Sequence, residues 1–121
     1  MAAYYNNDTM LYLDGAFVKA SEAKIDLYSQ TMHYGYGVFE GIRAYRTESG
    51  ATKIFKPVEH YVRLERSAKL MNLPYTPSVD EMIEATYNVL ELNNLQDAYI
   101  RPLVYAPANM SFVLNTESHV T

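Results

Sequence analysis

Two short stretches, Phe39-Glu-Gly-Ile-Arg-Ala-Tyr45 and Ala98-Tyr-Ile-Arg-Pro-Leu103, set arginines among aromatics inside otherwise apolar runs. Side chains on an extended chain alternate between faces. Phe39, Gly41, Arg43 and Tyr45 therefore share one face of the first stretch, and Val38, Glu40, Ile42 and Ala44 the other. In the second, Tyr99, Arg101, Leu103 and Tyr105 stand opposite Ala98, Ile100, Pro102 and Val104. A guanidinium fork suits a carboxylate or a phosphate, and a nearby phenol hydroxyl adds a hydrogen bond. Gly41, between Phe39 and Arg43, leaves a gap where a ligand can lie against the backbone. The alternative is that each arginine pairs with an acid on a solvated sheet face. Glu40 interrupts an apolar set, so it needs a partner or a sheet edge.

Other chemistries fit less well. Gly35, Gly37 and Gly41 are spaced GxGxxxG and lead into a strand, which does not match a dinucleotide fingerprint. His33, His60 and His119 lack metal-ligand spacing, so no metal site is expected. No glycine-flanked serine elbow occurs. Lys19, Lys24, Lys53, Lys56 and Lys69 lie in hairpin, turn or amphipathic contexts, not in apolar settings that would depress an amine's pKa. None of these patterns marks a catalytic residue in these 121 residues.

The elements that must position the two stretches follow from pattern. Asp14-Gly15, flanked by Leu11–Leu13 and Ala16–Val18, signals a hairpin. Ser21 to Met32 reads as an extended piece and then a short helix. Val38 to Tyr45 reads as one strand, Thr47 to Ala51 as a turn, and Thr52 to Phe55 as the returning strand. Pro57 opens a helix whose apolar face comprises Val58, Tyr61, Leu64, Ala68 and Met71. Pro74 and Pro77 separate it from a second, begun by the capping box Ser78-Val-Asp-Glu81 and continued by Met82, Ala85, Val89 and Leu92. Asn93-Asn94 ends that helix. Ala98 to Tyr105 is strand-like, with Pro102 implying an edge or a bulge. The order indicates one α+β domain over residues 1–121, an antiparallel-rich sheet packed with two amphipathic helices. Phe112–Asn115 and His119–Thr121 read as extended structure just beginning, which suggests a truncated chain.

Composition narrows the function classes. About half the residues are hydrophobic and the net charge is -4, so there is no basic footprint for nucleic acid or anionic membrane. No apolar stretch approaches the ~20 residues that span a bilayer, and residues 1–10 lack the features of a signal peptide. With no cysteine, disulfides and thiol chemistry are excluded. A cytoplasmic protein is expected. Twelve tyrosines suit half-wet clefts and interfaces.

The run His33-Tyr-Gly-Tyr-Gly-Val-Phe-Glu-Gly-Ile-Arg-Ala-Tyr45 resembles the signature of branched-chain amino-acid aminotransferases, pyridoxal-phosphate enzymes of fold type IV. Four further stretches agree in order and spacing: Tyr12–Gly15, Ile54–Lys69, the segment from Ser78, and Ala98–Leu103. The similarity covers nearly the whole chain but only the family's small amino-terminal domain. It implies that Arg63 binds the cofactor phosphate and that Tyr99 and Arg101 lie near the substrate carboxylate, with Arg43 in the same polar network. It also implies that Tyr34, Phe39 and Gly41 surround the pocket for the aliphatic side chain. Amino transfer between leucine, isoleucine or valine and 2-oxoglutarate would follow, in a homodimer. The Schiff-base lysine and much of the phosphate cup belong to a second domain in that family. The resemblance therefore implies that the 121-residue chain alone is inactive. Tyr36 departs from the family, which often has a small or hydroxyl residue there, and Ala106–Asn115 is locally distinctive. Other readings are a different fold-type-IV enzyme (a D-amino-acid or amine transaminase, or an aminodeoxychorismate lyase) and a non-catalytic self-associating module.

Overall fold

Asp14 and Gly15 take positive φ values of 47° and 86°, as a two-residue hairpin turn matching strand twist requires. They join β1 (Met10–Leu13) to β2 (Ala16–Lys19) in an antiparallel pair. The computed structural model describes residues 5–111, 113 and 117–121. After the hairpin come α1 (Gln30–Tyr34), β3 (Gly37–Phe39), β4 (Ile42–Arg46) and β5 (Thr52–Ile54). Then follow α2 (Pro57–Leu70), α3 (Val79–Leu92), β6 (Ala98–Ile100), β7 (Leu103–Tyr105) and β8 (His119–Val120). Among the described residues there are, besides the hairpin, two antiparallel sheets, ordered β3-β7-β8 and β5-β4-β6. The architecture is the expected α+β one.

The two long strands expected at 38–45 and 98–105 are each broken in the middle. Glu40-Gly41 separates β3 from β4, and Arg101-Pro102 separates β6 from β7. The pairing does not slip across the gap: Ile42 faces Ile100 on one side and Phe39 faces Leu103 on the other, in a single register. That register sets Glu40 opposite Pro102. The Glu40 amide donates to the Pro102 carbonyl at 3.0 Å, but the reciprocal bond would need an N–H that proline lacks. The ladder therefore opens there, and the pleat continues. Ile42, Ala44, Glu40, Pro102 and Val104 are buried, whereas Phe39, Gly41, Arg43, Tyr45, Tyr99 and Arg101 are exposed.

The helices pack on the inner face. α2 begins with Pro57 in its first turn, and α3 with the capping box, Ser78 Oγ accepting from the Glu81 amide and the Glu81 carboxylate accepting from the Ser78 amide. Tyr61, Leu64 and Ala68 of α2 join Met82 and Leu90 of α3, with Ile42, Ala44, Ile54 and Val104, in one core. The Tyr61 hydroxyl is paired with the Thr86 hydroxyl. Three expected core positions differ. Val58, Met71 and Leu92 are exposed, because each lies at the first or last turn of its helix, beyond the stripe that meets the sheets. The short helix predicted within Ser21–Met32 forms only at its end and runs on to Tyr34, closed by Gly35 in the left-handed region at φ 66°. Of the two extended carboxyl-end segments, His119–Val120 pairs with β7. Phe112 and residues 114–116 lie outside the described residues.

Candidate ligand-binding face

β4 and β6 pair Arg43 with Tyr99, which brings the two sequence-predicted stretches onto one surface. Arg101 follows Tyr99 by two residues and returns to the same side. Its Nε and Nη2 donate to the Tyr99 hydroxyl at 3.1 and 2.9 Å. The guanidinium carbon lies 4.3 Å from the centre of the Phe39 ring and 5.4 Å from that of Tyr99. A cation over an aromatic face at an exposed site contributes roughly 0.5–1 kcal/mol. Arg43 lies 5.7 Å over Tyr45 on the same face. Phe39, Gly41, Arg43, Tyr99 and Arg101 are thus gathered into one patch of two cations among aromatic rings.

Gly41 requires a correction. The space above it is not an open gap: an added Cβ would lie 2.8 Å from the Tyr99 hydroxyl, closer than side-chain atoms approach. Glycine here admits the Tyr99 phenol, which in turn holds Arg101. Tyr34 is carried by a different element, α1, where it is half-exposed with its ring 6.0 Å from that of His33. An apolar cleft of about 380 Å³ opens beside β6, bounded by residues that include Met10, Met82, Val89, Tyr99 and Arg101. Tyr99 and Arg101 thus border the cleft, whereas Phe39, Gly41 and Arg43 are not in its lining.

On the inner side, Glu40 finds the partner its sequence position demanded. Its carboxylate is 5% exposed and accepts from Arg63 Nε at 2.6 Å and Nη2 at 2.7 Å. His60 Nδ1 lies 2.8 Å from Oε2, the same oxygen that accepts from Arg63 Nη2. The Arg63 hydrogen bonds, seconded by His60, hold the Glu40 carboxyl below its usual value of 4.5 although burial opposes this. Glu40 in return raises the Arg63 pKa. Arg63 itself is 65% exposed. Sequence reasoning selected Arg63 only through the family resemblance and did not identify Glu40 or His60 as its partners. The available signal was a lone acid on an apolar strand face. Among the described residues no cluster of three or more His, Cys, Asp or Glu side chains fits a metal ion, and no helix is long and apolar enough to cross a membrane.

Antiparallel sheets interrupted at one level, an outward face of paired aromatics and arginines, and an arginine fork on the packed helix define a class. The chain belongs to the family described as amino-transferase class IV, whose model matches residues 37–119. Within that family the similarity is to branched-chain-amino-acid aminotransferases. The Salmonella typhimurium enzyme is 43% identical over 95 residues, covering 78% of this chain and 30% of that one. The solved structure of the Escherichia coli enzyme superposes with a TM-score of 0.88 at 36% identity, covering 95% of this chain and 38% of that one. A further solved branched-chain amino acid aminotransferase, complexed with N-(5'-phosphopyridoxyl)-L-glutamate, gives 0.86 at 35% identity, covering 93% of this chain and 39% of that one. The structure from the thermophilic archaeon Thermoproteus uzoniensis, with norvaline, gives 0.86 at 34% identity, covering 93% of this chain and 38% of that one. The chain therefore spans about a third of the length of these relatives and corresponds to their small amino-terminal portion.

Proposed function

We propose that residues 1–121 act as the small domain of a pyridoxal-phosphate-dependent branched-chain aminotransferase, facing the substrate within a cytoplasmic homodimer. A second domain supplies the lysine that carries the cofactor. The carrying observation is the single face that joins Phe39 and Tyr99 to Arg43 and Arg101. Transfer from leucine to 2-oxoglutarate demands a pocket for an apolar side chain and, in the other half-reaction, for a carboxylate. Aromatic rings with guanidinium edges at their rim meet both needs. The relative crystallised with phosphopyridoxyl-glutamate supports the reading, since that molecule combines the cofactor with the acidic substrate.

The residues present fit the cofactor in one respect that this chain shows. Arg63 is bonded to Glu40 through Nε and Nη2 only, and its exposed side chain leaves the remaining N–H groups available to a phosphate. When bound, pyridoxal phosphate supplies the electron sink that labilises the substrate's α-proton. In this chain Arg63 anchors the phosphate, Arg101 and Arg43 orient the carboxylate, Phe39 and Tyr34 bound the apolar side chain, and Gly41 makes room for the Tyr99 phenol.

The test is transamination by the longer protein that contains this chain. Leucine and 2-oxoglutarate should give glutamate and the branched 2-oxo acid, and the 121-residue chain alone should give neither. Arg101→Leu should raise KM for 2-oxoglutarate by about ten-fold or more, the size of a lost charge-assisted hydrogen bond. Turnover confined to D-amino acids or simple amines, or an unchanged KM in the variant, would overturn the assignment.

A further inference from the structure

We propose that Glu40 is a positioning residue: it holds the inner edge of the Arg63 guanidinium so that the outer edge is presented, preformed, to a phosphate. This rests on the assignment of Arg63 to the cofactor phosphate and adds the group that makes its fork usable.

The backbone fixes the carboxylate first. Strand alternation turns residue 40 inward, and the break opposite Pro102 opens the ladder where α2 passes. The Glu40 amide is bonded to the Pro102 carbonyl at 3.0 Å. The carboxylate is therefore buried and held from behind, while its partner on α2 is mostly in water. An exposed arginine samples many rotamers, and two parallel bonds to a fixed carboxylate select one of them. Those bonds use Nε–H and one Nη2–H. Both Nη1 hydrogens and the second Nη2 hydrogen remain for another acceptor.

His60 sharpens the geometry. Its Nδ1 is 2.8 Å from Glu40 Oε2 and 3.5 Å from Arg63 Nη2. A hydrogen on Nδ1 lets the ring donate to the carboxylate, which leaves no lone pair there for Arg63. His60 thus takes a second bond on Oε2 without drawing on the outer edge of the fork. Glu40 also carries a cost for anion binding, since a carboxylate behind the guanidinium repels a phosphate in front of it. Water around the exposed arginine screens that repulsion, whereas the loss of orientation in a free side chain is unscreened.

The experiment follows the side-chain N–H resonances of Arg63 in the 121-residue chain while inorganic phosphate is raised through the millimolar range. Wild type and Glu40→Gln are compared at neutral pH, with the backbone amide spectrum as the check on folding. In wild type the Arg63 Nη signals should move with phosphate while the Nε–H signal stays in its carboxylate-bonded position. In Glu40→Gln that Nε–H signal should lose its distinctive shift, and phosphate affinity should fall about two- to ten-fold. Equal or tighter binding by the variant would make Glu40 a competitor and overturn the proposal. So would phosphate displacing Glu40 in wild type, an outcome readable even if the variant does not fold. Silence at Arg63 in both proteins would instead defeat the phosphate assignment, and the positioning role with it.

Discussion

Arg63 and Arg101 make the same pair of bonds to different oxygens. Each donates Nε–H and an Nη2–H to one internal partner, Arg63 to the Glu40 carboxylate and Arg101 to the Tyr99 hydroxyl. The carboxylate is buried, charged and backed by the strand break. The phenol is half-exposed, on the outward face. The bonds to Glu40 are also shorter, as charge assistance makes them. The difference teaches which fork is fixed and which is adaptable. A site for an unchanging phosphate suits the first, and a site that must accept a carboxylate in one half-reaction and an alkyl chain in the other suits the second.

Breaking the scaffold beneath one fork should affect only that fork. Leu64, wholly buried one residue after Arg63, anchors α2 to the core. Leu64→Ala should cost about 2–5 kcal/mol in urea denaturation and loosen the Glu40–Arg63 pair, leaving the Arg101–Tyr99 bonds intact. Acid should separate the forks next. Glu40 titrates below 4.5 in the folded chain, so its contribution is complete above the unfolded value and is lost as pH falls through the folded one. Wild type should lose more stability than Glu40→Gln between pH 7 and strongly acid solution, as protonation of Glu40 releases Arg63. Chemical denaturation at each pH measures it.

Ser78→Ala should remove the side-chain bond to the Glu81 amide at a cost of about 1 kcal/mol and leave both arginines where they are. Gly41→Ala should have the smallest effect on stability, under about 1 kcal/mol, because the half-exposed Tyr99 ring can move aside. It should nevertheless release Arg101 and not Arg63, visible as a change in the Arg101 Nε–H resonance alone.

What the sequence disclosed was set by range. Alternation along two strands was enough to place Phe39, Gly41, Arg43, Tyr99 and Arg101 on one face, since the pleat is local and persists through the break. The hairpin at Asp14-Gly15 and the Ser78 capping box were legible for the same reason. The break itself was half-visible: Pro102 signalled a defect in its own strand, but its effect on Glu40 passes through the partner strand. Glu40 announced the need for a partner and not its identity, because His60 and Arg63 arrive from a helix twenty residues on. The filling of the Gly41 gap by Tyr99 is likewise a cross-strand event. Tyr105, placed on the aromatic face by alternation, is buried because β8 brings the His119 ring to within 4.9 Å of its own.

The central claim is that this face is half of a pocket for an amino acid and its 2-oxo acid partner. A crystal structure of this chain joined to a lysine-bearing second domain, with 2-oxoglutarate bound, tests it most directly. The account predicts a substrate carboxylate within hydrogen-bond distance of Arg101, beside Tyr99 and Arg43, with the guanidinium still over Phe39. A carboxylate bound elsewhere, with these side chains sealed under a neighbouring domain, would contradict it.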